Sequence, residues 1–141
     1  MVKHLRTSRD FTLKVADQMP AADYAFKLTA PQMTFAEQMI HLSKDLDLFM
    51  APIVGEKPNP GEPSSAAKRD VLAFIRRSFD RAIERVSTLS AEQISTTYKS
   101  EEGTMTGLEM LMGMLDHTTH HRASVEMYLR AKGIVPAAYQ F

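Results

Sequence analysis

The stretch from Thr106 to Lys132 constrains the fold of this 141-residue chain more than any other. Thr106 and Glu109 have the Thr-x-x-Glu spacing in which each residue caps the other's backbone N–H. Apolar residues then return every three or four positions, and Gly133 and Pro136 supply a stop. The spacing predicts one long amphipathic helix, and a helix with a single apolar stripe must bury it against other elements.

Three further stretches can supply those elements. Phe11, Val15 and Met19 recur at helical spacing before Pro20, which places a first helix at Ser8 to Met19. A second capping box, Thr34 with Glu37, opens a helix to about Ala51 whose stripe is Phe35, Met39, Leu42, Leu46 and Phe49. From Pro52 to Pro63 the sequence PIVGEKPNPGEP holds four of the seven prolines and reads as a connecting loop in which no helix survives. From Ser65 to Val86 the helical period returns through Val71, Leu72, Phe74, Ile75, Phe79, Ala82, Ile83 and Val86. Ser90 to Gln93 repeats the capping spacing and can start a single turn, and STTYKSEEGTMTG, rich in turn residues, can hold a short hairpin. The expected class is all-α, a four-helix bundle, and the length fits one domain over residues 1–141.

Composition narrows function chiefly by exclusion. Lys plus Arg and Asp plus Glu both total 17, so no net basic field is available for nucleic acid or an acidic membrane surface. Cysteine is absent, which removes disulfides, thiolate metal sites and a Cys nucleophile, so any metal must be held by His and carboxylate. The first twenty residues lack the apolar core of a signal peptide, and no later run is long enough to span a bilayer, so a cytoplasmic protein is expected.

Of the five histidines, three form the run HTTHH in the last helix. On a helical wheel of about 100° per residue, His117 and His121 fall in the stripe of Met110, Met114, Val125 and Tyr128, whereas His120 points away beside Glu109 and Asp116. Two imidazoles one turn apart can converge on a divalent ion, with Zn²⁺ or Ni²⁺ preferred and Fe²⁺ or Mn²⁺ also chemically suited. An isolated HxxxH is more often a pair of hydrogen-bonded histidines. Within an apolar stripe each buried ring needs a partner, and a shared metal would satisfy both. His41 is the one other histidine well inside a helix, but it lies roughly 130° from its helix's apolar stripe, so periodicity leaves it open between a ligand and a solvated side chain.

The run DHTTHHRASVEMYLRAKGIVP, Asp116 to Pro136, resembles the closing helix of DinB/YfiT-like proteins. YAFKLTAPQMTFAEQMIHL, Tyr24 to Leu42, is similar to that family's segment leading into its second helix. The resemblance implies up-down-down-up connections, a metal site of His41, His117 and His121, and homodimers. Some relatives are thiol-dependent S-transferases or isomerases. The chain departs from the pattern at Asp116, where many relatives have Asn, and at Ala123 and Ser124, where they often have Gly-Gln.

Three neutral histidines leave a coordination position open, which suits a metal-dependent transferase or hydrolase acting on a small molecule, with a low-molecular-weight thiol as a candidate cosubstrate. Glu37 is a candidate for orienting His41, and Arg122 for binding an anionic substrate or pairing with an acid. Glu37 and Asp45 both lie near His41 on the wheel, but helix-surface carboxylates are usually solvated and the sequence names no general base. Tyr128 and the methionines Met39, Met110 and Met114 read as packing. The competing class is a non-catalytic, stress-associated or partner-binding bundle with a structural or vestigial metal site. A haem site is disfavoured because three histidines, not two, converge.

Overall fold

The computed structural model describes residues 1–100 and 103–140. Helix α1 spans Val2–Gln18, starting before the expected Ser8. The reason is Leu5, which is fully buried. Its burial, worth roughly 1.5–3 kcal/mol, extends the stripe of Phe11 and Val15 by nearly two turns, although Met1 at the N-cap offers no side-chain bond. After a single 3₁₀ turn at Ala21–Asp23 the chain enters α2, Phe35–Ile53, through the expected capping box: Thr34 accepts from the Glu37 N–H while Glu37 accepts from the Thr34 N–H.

The loop expected from Pro52 onward begins two residues late, because Pro52 lies inside the last turn of α2. Proline costs most where its missing N–H and its ring disturb a continuing helix. Here the helix stops at once. Glu56 N–H bonds Ala51 O at 2.9 Å, Gly55 N–H bonds Pro52 O at 3.2 Å, and Gly55 takes φ 71°, a left-handed conformation that only glycine adopts cheaply. Helix α3 runs Lys68–Ser87 and not from Ser65. The Ser65 hydroxyl instead donates to Asp70 Oδ2 at 2.6 Å and accepts from the Ala67 N–H at 3.2 Å. The short α4 (Ala91–Ser95) has its capping box, and β1 (Thr97–Ser100) pairs antiparallel with β2 (Gly103–Thr106) in the expected hairpin, residues 101 and 102 lying outside the described residues. Helix α5, Gly107–Ala131, is capped by Thr106 and Glu109.

Helix directions follow from paired side chains. Arg9 meets Asp80 and Lys68 meets Asp17, so α1 and α3 are antiparallel. Arg122 reaches Ser8 and Thr12 while Gln18 bonds Val135 O, so α1 and α5 are parallel. Gln38 meets His121, and Asp45 meets His117, so α2 and α5 are antiparallel. The connections are therefore up-down-down-up, as expected. Since α2 and α3 point the same way, the chain must return along the whole bundle between them. Residues 54–67 do so, and at roughly 3.3 Å per extended residue they span the ~30 Å length of a 20-residue helix.

Phe11, Val15, Phe35, Met39, Leu42, Leu46, Ile75, Phe79, Met110, Met114, Val125 and Tyr128 share one core among the four long helices. The methionines at core spacing are thus packing residues. Tyr128 is also packed: its ring meets Phe26 and Phe35 edge-on, and its hydroxyl donates to Met33 O at 2.6 Å. Among the described residues, no helix is long and apolar enough to cross a membrane.

Candidate metal centre

The groove between α2 and α5 positions the histidines. One turn before His117, Gly113 faces Phe49 of α2, where an added Cβ would lie 3.1 Å from the ring. The missing side chain lets the two helices approach beside the cluster. His117 and His121 project from successive turns of α5, and His41 from α2 meets both, with ring centroids 5.0 Å from His117 and 4.4 Å from His121. The large wheel offset of His41 from its apolar stripe now has a reason. Helix α2 packs on α3 along one flank and on α5 along the other, and His41 belongs to the α5 flank, off the main stripe.

The ligand-type nitrogens of His41, His117 and His121 all lie within 4.8 Å of one another, and His121 Nε2 is 3.1 Å from His117 Nε2. Nitrogens bound at about 2.0–2.1 Å to a tetrahedral ion lie roughly 3.4 Å apart, so these rings fit a divalent cation with little movement. Gln38 Oε1 sits 2.5 Å from His121 Nδ1. With a carbonyl oxygen opposite, Nδ1 carries the hydrogen and donates it, leaving the Nε2 lone pair directed at the cluster. Burial first, then the neighbouring His117, His41 and His120 rings, lower the His121 pKa to about 4 against an opposing pull from Asp45. At neutral pH His121 is therefore uncharged, the form that binds metal. The cluster remains within reach of solvent, since the side chains of His41 and His117 are 35% and 25% exposed.

Asp45 approaches the same nitrogens, its Oδ2 3.0 Å from His117 Nε2 and 3.6 Å from His41 Nε2. The sequence placed Asp45 near His41 on the wheel but assigned it no role. Glu37 does not fill the orienting role expected of it. Its carboxylate accepts from the Thr34 N–H at 2.6 Å, and that bond, followed by the Thr34 hydroxyl, holds its pKa below the ordinary value. Gln38 has an orienting role instead, toward His121 of α5 and not His41, and sequence reasoning missed it. No local signal marks it, because its partner lies on another helix. His120 and Asp116 are exposed, as the wheel predicts, although the His120 ring lies 5.0 Å from that of His121. Arg122 does not join the cluster, and among the described residues it pairs with no acid at ion-pair distance. It turns to α1, where its guanidinium donates to the hydroxyls of Ser8, Thr12 and Thr119.

The sequence and the fold match known proteins. The model of the DinB family matches residues 1–141. The uncharacterized protein YjoA of Bacillus subtilis (strain 168) is 20% identical over 137 residues, covering 94% of this chain and 89% of that protein. The crystal structure of that DinB-like protein superposes with a TM-score of 0.84 at 19% identity, covering 98% of this chain and 94% of the other. A DinB-like protein from Bacillus cereus ATCC 10987 gives 0.81 at 14% identity, with 96% and 92% covered. At such identities the structures speak for the fold alone. With the family model matching from the first residue to the last, the chain belongs to the DinB family.

Proposed function

We propose that the chain is a divalent-metal-dependent enzyme that holds one ion with His41, His117 and His121 and acts on a small molecule. The observation that carries this reading is the convergence of three imidazole nitrogens, within 4.8 Å of one another, from two helices in a groove that solvent reaches. Zn²⁺ or Ni²⁺ suits an all-imidazole set best, and Fe²⁺ or Mn²⁺ follows. When bound, such an ion polarises an oxygen substrate or activates a thiol or water.

The chain's own residues supply the rest. Gln38 fixes the His121 tautomer. Among the described residues, Asp45 is the carboxylate within hydrogen-bond distance of the triad, placed to accept a proton released beside His117. Phe49 lies 6.1 Å from His117, and the exposed His120 ring lies 5.0 Å from that of His121. Thiol S-transfer, which the resemblance to DinB/YfiT-like proteins supports, is the first reading, and metal-assisted hydrolysis the second.

The test is a turnover screen of the metal-loaded protein with small thiols and model electrophiles, run beside a panel of hydrolysable esters and amides. Thiol consumption that requires the ion and disappears in His117→Ala supports the first reading, and ester or amide cleavage with the same dependence supports the second. Stoichiometric metal with no turnover in either panel favours the non-catalytic, partner-binding bundle.

A further inference from the structure

Arg122 is 4% exposed, yet among the described residues it meets no carboxylate at ion-pair distance. Its guanidinium bonds only neutral hydroxyls, Ser8 Oγ at 2.9 Å, Thr12 Oγ1 at 3.3 Å and Thr119 Oγ1 at 3.3 Å, and lies 4.7 Å above the Phe11 ring. The Glu126 carboxylate acts on it without pairing with it, and a buried cation with no paired counter-charge is costly unless something else supplies one. Beside it is a cavity of about 160 Å³, bounded by Ser8, Thr119 and Arg122 together with His4, Thr7 and Tyr139. That volume admits a small molecule.

We propose that this cavity, between α1 and α5, is a binding site for a small oxyanion, the carboxylate or phosphate group of a metabolite, held by the Arg122 guanidinium and the hydroxyls of Ser8 and Thr119. A hydroxyl that accepts an N–H from a guanidinium has its own O–H free to donate elsewhere. Ser8 and Thr119 both line the cavity, so their hydrogens can point into it. The lining is thus rich in donors, and the planar guanidinium fork matches the geometry of carboxylate and phosphate. Successive residues of α5 then serve different flanks: His121 faces α2 and the histidine cluster, while Arg122 faces α1. The anion site stands independently of any metal.

The experiment is calorimetric titration of the metal-free full chain with inorganic phosphate and, separately, with acetate, at constant ionic strength. The expected result is saturable one-to-one binding of at least one of the two, their ratio identifying the preferred group. Arg122→Gln should weaken it tenfold or more, and the double variant Ser8→Ala, Thr119→Val severalfold. His117→Ala should leave it unchanged. Should Arg122→Gln fail to fold, the double variant decides. The proposal is overturned by no saturable binding of either anion, by binding undiminished in the double variant, or by loss of binding in His117→Ala, which would place the anion on the histidines.

Discussion

The two flanks of α2 carry two polar clusters of opposite kinds. Facing α3, Asp47 is 7% exposed, and all its partners are supplied by the protein: Arg85 Nη1 at 2.6 Å, Arg81 Nη1 at 3.5 Å, and the Asn59 N–H at 2.6 Å. Arg85 also pairs with Glu56, and Arg81 donates to Asn59 O, so the cluster clamps the long crossover onto the bundle. Facing α5, the imidazoles of His41, His117 and His121 turn ligand-type nitrogens toward one another, with Gln38 and Asp45 at the edges. The first cluster is balanced in charge and saturated in hydrogen bonds, as a structural joint must be. The second gathers three imidazoles from two helices where solvent reaches them, the arrangement on which the metal proposal rests.

If that distinction holds, the joint should fail on mutation whether or not metal is present. Asp47→Ala removes the buried partner of Arg85, leaving it only the half-exposed Glu56, and should cost about 3 kcal/mol in urea unfolding. A loss below about 1 kcal/mol would mean the joint is a solvated surface pair. The histidine cluster should respond to ligand instead. Zn²⁺ or Ni²⁺ at a free concentration a hundredfold above Kd should stabilise the wild type by about 2.7 kcal/mol and leave His117→Ala unmoved, as read by thermal or urea unfolding.

Within the cluster, Gln38→Ala should lower metal affinity roughly 10–100-fold, about 1.4–2.7 kcal/mol, in a competition titration with a chromophoric chelator. Unchanged affinity would show that Gln38 does not set the tautomer. The smallest effect belongs to the cap of α2. Thr34→Ala should cost about 1 kcal/mol of stability while metal affinity stays as in the wild type, separating the cap from the site. Because Thr34 depresses the Glu37 pKa, the carboxylate's share of the cap is present above the ordinary carboxylate pKa and is lost as pH falls through the lowered value. The stability gap between wild type and Glu37→Ala should therefore narrow on acidification.

What could be read in the sequence follows the range of the forces involved. Capping boxes at Thr34, Ser90 and Thr106 are local hydrogen-bond patterns, and all three are formed. The stripe of α3 was legible residue by residue because one apolar face dominates it. The start of α1 was not, since Leu5 earns its place through contacts distant in sequence and no cap marks Val2. The same holds at the site. His117 and His121 were paired by spacing on one helix, whereas His41 needed the family resemblance, because its neighbours come from α5. Gln38 and Asp47 escaped notice because a polar residue on a helix shows nothing of its partner on the next.

The measurement that bears most directly on the central claim is the metal content of untagged protein by mass spectrometry, with Zn²⁺ and Ni²⁺ titrations of the wild type, His41→Ala, His117→Ala and His121→Ala. One ion per chain in the wild type, lost or greatly weakened in each variant, is the predicted result. A wild type that is metal-free and refuses both ions, or one whose metal survives all three substitutions, would contradict it.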